Sequence, residues 1–247
     1  MTSEQKNKKL NIVLPAYNEE KVIGDSTERL SGFCRQNMTA YDWKIIVADN
    51  GSTDKTADIV RKMEKDSGNK IVHKLVSAKG KGLAVREGWQ SFDADVYVFM
   101  DADLSTDLSG LPALTNAIEQ GYDLAVGSRM ALGSVVRRSL KRKIISKVFS
   151  LLVRRKFGLR IKDYPCGFKA ANNKIVRELL PLVKNNTWFF DTEMIIRAAK
   201  KGYKIKEIPV KWTDTDEDAG RESKADLKKI IKEYLKELKK LKADLPR

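Results

Sequence analysis

The chain has 247 residues, 42% of them hydrophobic, with a formal net charge of +15; this is enough apolar material for a full core and excludes a disordered protein. No apolar run reaches the ~20 residues that a membrane-crossing helix needs, and the polar, lysine-containing start does not read as a secretory signal. One histidine (His73, in a strand-like segment) leaves any Ser-His-Asp chemistry resting on a single residue, and two distant cysteines, Cys34 and Cys166, have no metal-ligand spacing and point to a reducing compartment with inert thiols.

Apolar runs at residues 10–14, 44–48, 71–76, 96–100 and 123–126 predict strands, and the stretches 19–36, 53–66, 82–92 and 108–120 between them predict helices. This βαβα order predicts an α/β fold: a Rossmann-like, mainly parallel, twisted sheet with helices on both faces. Ser52 or Thr53 is the expected N-cap of the second helix. The fourth strand, Val96-Tyr97-Val98-Phe99-Met100, runs directly into Asp101-Ala102-Asp103. Open α/β sheets bind ligands at the carboxyl ends of their strands. Two carboxylates one residue apart at that edge suit a hard cation, Mg²⁺ or Mn²⁺, carrying a diphosphate. Taken alone, such a triplet serves equally as turn or helix-cap chemistry.

The second half is less regular, and the charge is concentrated there. Residues 134–160 hold ten Lys/Arg and no acid, and residues 224–247 hold nine basic and four acidic residues, leaving the remainder neutral overall. Basicity confined to two segments argues for a local anionic partner, a membrane surface or a phosphate, and the absence of aromatic-interleaved basic motifs argues against nucleic acid. Residues 134–157 predict a helix with Leu140, Ile144, Val148 and Leu152 at four-residue spacing and a cationic border, as an interfacial helix on anionic lipid requires. The plainer reading is an amphipathic helix with one solvated face. Residues 203–212 predict a strand, followed by an acidic loop at 214–218. Residues 224–245 then predict a helix whose apolar face is Leu227, Ile230, Ile231, Tyr234, Leu235, Leu238 and Leu241. That helix could dock on the body, pair with another chain, or lie on a membrane.

Four segments stand in a telling order: Pro15-Ala16-Tyr17-Asn18-Glu19 after the first strand, Asp49-Asn50-Gly51-Ser52-Thr53-Asp54 after the second, Asp101-Ala102-Asp103 after the fourth, and later Asp163-Tyr164-Pro165-Cys166-Gly167-Phe168-Lys169. Together they resemble the family 2 inverting glycosyltransferases, and within them the polyprenyl-phosphate (dolichyl-phosphate) hexosyltransferases, over residues 10–224. The resemblance implies a GT-A type fold, with residues 1–223 the catalytic domain and 224–247 an appended helix. It implies that Pro15, Ala16, Tyr17, Glu19 and Asp49 hold the base and ribose of a nucleoside-diphosphate sugar, with Lys81 of Lys79-Gly80-Lys81-Gly82 close by. Asp101, Ala102 and Asp103 would face the diphosphate, with Asp101 and Asp103 as metal ligands. Arg221 and Lys224 belong to a loop that closes over the diphosphate in relatives. Arg129 of Gly127-Ser128-Arg129, with Arg142 and Ser146, matches the acceptor-phosphate site; the last two are four residues apart and share a helix face. Asp103 and Asp191 occupy catalytic positions. A phosphate acceptor is already largely ionised near neutral pH, so Asp191 is expected to orient acceptor or sugar and not to take a proton.

The expected function is therefore inverting hexosyl transfer from a nucleoside-diphosphate sugar to a polyprenyl phosphate, by a peripheral protein on the cytosolic membrane face. UDP-glucose is favoured over GDP-mannose, because Leu104-Ser105-Thr106-Asp107 departs from the Leu-Gln-His-Pro of mannosyl relatives and residues 79–86 and 163–169 stand closer to the glucosyl branch. The C-terminal helix is available for an oligomer contact. The alternatives are a family 2 enzyme with a sugar-hydroxyl acceptor and an inactive nucleotide-sugar binding module.

Overall fold

The computed structural model describes residues 7–214 and 227–245. The expected elements form, most of them within a few residues of the predicted bounds. Strands β1 (Lys8–Ala16), β2 (Tyr41–Asp49), β3 (Ile71–Leu75), β4 (Val96–Met100) and β5 (Leu124–Ser128) alternate with helices α1 (Ile23–Asn37), α2 (Thr56–Asp66), α3 (Lys81–Gln90) and α4 (Leu111–Glu119). Short β6 (Val135–Arg137) leads into α5 (Leu140–Phe157), and β7 (Phe168–Asn172), α6 (Phe190–Lys200), β8 (Ile205–Pro209), β9 (Lys211–Thr213) and α7 (Leu227–Asp244) follow.

Seven strands make one sheet in the order β3-β2-β1-β4-β7-β5-β8, with β7 antiparallel to both neighbours and every other pairing parallel. The chain leaves β1 toward β2 and β3 on one side and returns to pair β4 on the other, so the strand order reverses between β1 and β4. That reversal opens a crevice at their carboxyl ends. Period-two alternation divides the core between the faces. Val13, Ile46, Tyr97 and Phe99 pack with α3, α5, α6 and α7 through Trp89, Val153, Met194 and Leu238. Leu10, Ile12, Leu14, Val98 and Met100 pack with α1, α2 and α4 through Leu30, Val60 and Leu114.

Three expectations need correction. Neither Ser52 nor Thr53 caps α2, which starts at Thr56; the Thr56 N–H donates to Asp54 Oδ1 at 3.0 Å. The predicted helix at 134–157 begins instead as a strand, because the β-branched pair Val135-Val136 pairs with β9, and becomes helical only at Leu140. The single strand at 203–212 is two, since β8 joins the main sheet and β9 joins β6. The basic segment is therefore one helix preceded by a strand.

The described part of α7 docks on its own chain. Tyr234, Leu238 and Leu241 are buried, the Tyr234 hydroxyl donates to the Trp188 carbonyl at 2.6 Å, and the ring meets Phe149 and Phe189. Asp244 pairs with Arg197 and Lys184. Of the three uses open to this helix, docking is the one seen. α5 is two-sided: Ser146, Ser150, Val153 and Phe157 face inward, whereas Leu140, Ile144 and Val148 are 76%, 61% and 52% exposed.

Candidate active site

The first wall of the crevice is a clasp between two loops. After β1, Asn18 takes a left-handed backbone (φ 53°), a conformation asparagine tolerates better than most residues. Its N–H donates to Ser52 Oγ at 3.0 Å and its Oδ1 accepts the Thr53 N–H at 2.8 Å. The Glu19 N–H donates to Thr56 Oγ1, and Glu20 accepts the Lys55 N–H. The turn residues after β2 thus shape the loop after β1, which explains why both segments are needed at one site. Tyr17 projects from this clasp, partly exposed, with the Lys79 ammonium 3.0 Å from its hydroxyl. Pro15 and Ala16 are the last residues of β1 beneath it.

Asp49 ends β2 with both carboxylate oxygens engaged: Oδ1 accepts the Ser52 N–H at 2.9 Å and Oδ2 meets His73 Nε2 at 3.1 Å. Burial opposes its ionisation, but Ser52 and His73 outweigh burial and hold its pKa below the ordinary carboxylate range. His73, the lone histidine, is therefore a buried partner of a crevice carboxylate.

The second wall is electrostatic. Lys81, at the start of α3, donates to Asp101 Oδ1 at 2.8 Å and lies 3.8 Å from Asp191 Oδ2. Gly80 before it has φ 154° and passes so close to Asn186 that a Cβ would stand 2.2 Å from its carbonyl oxygen, so only glycine fits. Burial works against the Lys81 charge, yet the two carboxylates more than offset it and raise its pKa. Asp191, 2% exposed, also accepts from Lys169 Nζ at 2.6 Å, and Lys169 itself is fully buried and donates to the Cys166 carbonyl. The motif at residues 163–169 gives no role to Lys169 by itself. The available signal was a cation inside an otherwise apolar strand, which demands a partner.

Asp101 and Asp103 follow β4 at the crevice floor. Asp103 accepts the Ser105 N–H at 3.0 Å and its hydroxyl at 2.6 Å, while Leu104 between them takes φ 51°, a strained backbone for an ordinary side chain. Burial pushes the Asp101 carboxyl up, Lys81 pulls it down, and the nearby Asp103 and Asp191 push it up again. A second positive charge here would relieve that repulsion. Two hard carboxylate oxygens suit Mg²⁺ or Mn²⁺, and among the described residues no group of three or more His, Cys, Asp or Glu side chains is placed to hold a metal. The remaining coordination sites would fall to substrate oxygens.

The segment 163–169 joins this floor to a cluster of arginines. At its far end, the Asp101 N–H donates to the Gly167 carbonyl at 3.0 Å, so the floor is pinned to β7. At its near end, fully buried Asp163 takes three bonds from Arg129: from the backbone N–H at 2.9 Å, Nε at 2.8 Å and Nη2 at 2.9 Å. Burial opposes the Asp163 charge, but Arg129 outweighs burial and lowers its pKa. Arg142 pairs with Asp214, and Ser146 accepts from Arg138 Nη1 at 3.0 Å. Trp212 lies under both Arg129 and Arg138, at 5.5 and 5.3 Å from ring centre to guanidinium carbon. Arg138 stands four residues before Arg142 and eight before Ser146, just ahead of α5, and joins them only through the fold. Arg221 and Lys224 lie outside the described residues.

The sequence profile of Glycosyl transferase family 2 matches residues 11–180, more than half of the chain and most of the walls just described. The chain belongs to glycosyl transferase family 2. Among relatives of this family 2 chain, the dolichyl-phosphate beta-glucosyltransferase of Saccharomyces cerevisiae is 32% identical over 84% of this chain and 67% of its own length. An undecaprenyl-phosphate 4-deoxy-4-formamido-L-arabinose transferase of Pectobacterium carotovorum is 32% identical over 73% of this chain and 54% of its own. Glycosyltransferase AglD of Haloferax volcanii is 32% identical over 82% of this chain, which spans only 33% of that protein. The solved glucosyl-3-phosphoglycerate synthase of Mycobacterium tuberculosis, in complex with UDP, superposes with a TM-score of 0.66 at 18% identity, covering 97% of this chain and 82% of that one. This confirms the expected fold. The crevice residues thus belong to a glycosyltransferase domain.

One consequence concerns Gly167. A Cβ there would stand 2.2 Å from both Asp101 carboxylate oxygens. Gly167→Ala is expected to displace Asp101 and cut glycosyl transfer about 10²-fold, the scale of a misplacement near 1 Å, with only a small fall in melting temperature. Steady-state rates beside thermal melts check this; an alanine variant of wild-type rate would show that Asp101 tolerates displacement.

Proposed function

We propose that this chain transfers a hexose from a nucleoside-diphosphate sugar to a polyprenyl phosphate, with inversion, at the cytosolic face of a membrane. The observation that carries the reading is that one short segment, 163–169, ties the Asp101–Asp103 floor to an arginine cluster through Gly167 and Asp163. A site for a leaving diphosphate and a site for an attacking phosphate then sit side by side. The names of the yeast and Pectobacterium relatives support a polyprenyl-phosphate acceptor, and that of the yeast enzyme supports glucose.

In this reading Tyr17, Glu19 and Asp49 bind the nucleotide base and ribose, with Pro15 and Ala16 as the backbone beneath. Ala102, the small residue between the acids, leaves room for the diphosphate. Asp101 and Asp103 would hold a divalent metal, Mg²⁺ or Mn²⁺, which would supply positive charge to neutralise the diphosphate as it leaves. Lys81 stands against Asp101 and fixes its orientation. The bond between the anomeric carbon and the diphosphate oxygen breaks with its electron pair going to the diphosphate. An acceptor phosphate oxygen forms the new bond from the opposite face. Arg129, Arg142 and Ser146 line the acceptor side. Asp191 is buried between two lysines, which suits holding Lys81 and Lys169 in place better than taking a proton, and an ionised phosphate needs no base.

Radiolabelled UDP-glucose and GDP-mannose offered with a polyprenyl phosphate test the proposal. Label should pass from UDP-glucose into a lipid phase as a β-linked glycosyl phosphate; transfer only to free sugar hydroxyls would refute it.

No helix among the described residues is long and apolar enough to cross a membrane. The exposed Leu140, Ile144 and Val148 beside the cations of residues 134–160 support contact with an anionic surface. Each cation near such a surface contributes at most ~1 kcal/mol and is screened within about a Debye length. Co-sedimentation with anionic vesicles should therefore be strong at low salt, fall as salt rises, and keep a residual part from the apolar side chains. Protein left in the supernatant at low salt would make the segment merely the wall of a soluble pocket.

A further inference from the structure

Three arginines crowd the acceptor side, and only two of them have a carboxylate. Arg129 is matched by Asp163 in a bidentate pair, and Arg142 by Asp214. Among the described residues Arg138 pairs with no acid: its one hydrogen bond goes to the Ser146 hydroxyl, and its guanidinium lies against Trp212. Its Nε is buried and has no acceptor. A buried donor without a partner costs on the order of 1–3 kcal/mol, and a cation held between two others costs more. Burial, then Arg129 and Arg142, pull the Arg138 pKa down to about 10. A second buried polar atom lacks a partner on a residue paired with Trp212: the Thr106 hydroxyl has no hydrogen-bond partner, and Thr106 is bridged to Trp212 through the backbone.

Such a cluster is short of one anion. The missing acceptor must reach a buried Nε, must tolerate an aromatic floor, and must bring charge to satisfy a planar fork of N–H donors. A terminal phosphate monoester meets all three requirements, since its oxygens accept charge-assisted bonds from more than one guanidinium nitrogen. A diphosphate inside a nucleotide-sugar carries substituents at both ends and has no terminal phosphate group to offer such a fork.

We propose that Arg138 is the open phosphate-binding residue of this cluster and takes the terminal phosphate of the acceptor, with Ser146 and Trp212 orienting its guanidinium. Arg129 and Arg142, already neutralised by Asp163 and Asp214, then act chiefly as the positive walls around it. The assignment of that phosphate to an acceptor rests on the function proposed above; the anion site itself does not.

Isothermal titration of the full chain with a short soluble prenyl phosphate (citronellyl phosphate), with inorganic phosphate and with UDP separates the two. Arg138→Gln should weaken prenyl phosphate ~10–100-fold, the range for losing charge-assisted hydrogen bonds, and leave UDP within twofold. Arg138→Lys, which keeps the charge and loses the fork, should fall between, and Arg137→Gln on the exposed neighbour should bind as wild type. Thermal melts of each variant guard against misfolding, and the lysine variant reports even if the glutamine variant is unstable. Wild-type phosphate affinity in Arg138→Gln, a loss directed at UDP instead, or no binding of either phosphate probe to the wild type overturns the inference. Arg138-dependent binding of inorganic phosphate without binding of the prenyl phosphate would uphold the anion site and refute the acceptor reading.

Discussion

Asp103→Ala is expected to reduce sugar transfer by at least ~10³-fold and to leave the fold intact. The carboxylate closes a local turn on Ser105 at the end of β4, outside the buried strand interior, so its loss removes little packing. What it removes is half of the oxygen set proposed to hold a divalent cation beside Asp101. Metal stabilisation of a departing diphosphate is worth several kcal/mol, and ~4 kcal/mol corresponds to about three decades in rate. Chelation of the wild type should mimic the substitution and be reversed by Mg²⁺ or Mn²⁺, whereas the variant should regain nothing. Circular dichroism and melting curves should be nearly unchanged. Full activity of the wild type in excess EDTA would remove the metal from the scheme and make Asp103 a turn residue.

The largest stability effect is expected at Asp163. Removing its side chain strands the Arg129 guanidinium in a pocket where the pair is 9% and 0% exposed. Breaking a buried ion pair from one side costs about 3–5 kcal/mol, because the remaining charge keeps its desolvation penalty. At about 2–4 °C per kcal/mol for a chain of this size, Asp163→Ala should melt well below the wild type. The double replacement Asp163→Leu with Arg129→Met should recover much of that loss, since no charge is then left behind. The pH dependence follows from the sign of the shift. The Asp163 pKa is lowered in the fold, so its stabilisation is complete above the unfolded-state value of about 3.9 and is lost as pH falls through the folded value. Denaturation midpoints from pH 7 downward should therefore fall less steeply in the variant than in the wild type. Equal slopes would mean that Asp163 is not held ionised by Arg129.

Much of the site could be read from the chain because its chemistry is local. The acid pair directly after an all-apolar strand, the Pro-x-Tyr-Asn-Glu loop and the turn-rich segment after β2 are each contiguous, and strand direction places them at one edge. Asn18 and Ser52 were legible as turn formers, but not their mutual hydrogen bond, which depends on the parallel register that sets Ala16 opposite Asp49. The N-cap expectation fails for the same reason: Ser52 and Thr53 are drawn into the clasp with Asn18, and the helix starts only at Thr56, after Lys55, with no side-chain cap.

Sequence alone determined the alternation of elements, the two-faced sheet and the concentration of cations, because periodicity and composition are properties of neighbours along the chain. Tertiary structure decided which charges meet. β7 runs antiparallel between β4 and β5 and brings Gly167 under Asp101 and Lys169 against Asp191, 66 and 22 residues apart in sequence. Asp163 and Asp214 neutralise Arg129 and Arg142 across 34 and 72 residues, and only that pairing singles out Arg138. No spacing rule reports such partners: the energy of a buried charge depends on what stands within a few ångströms, and folding alone sets that distance.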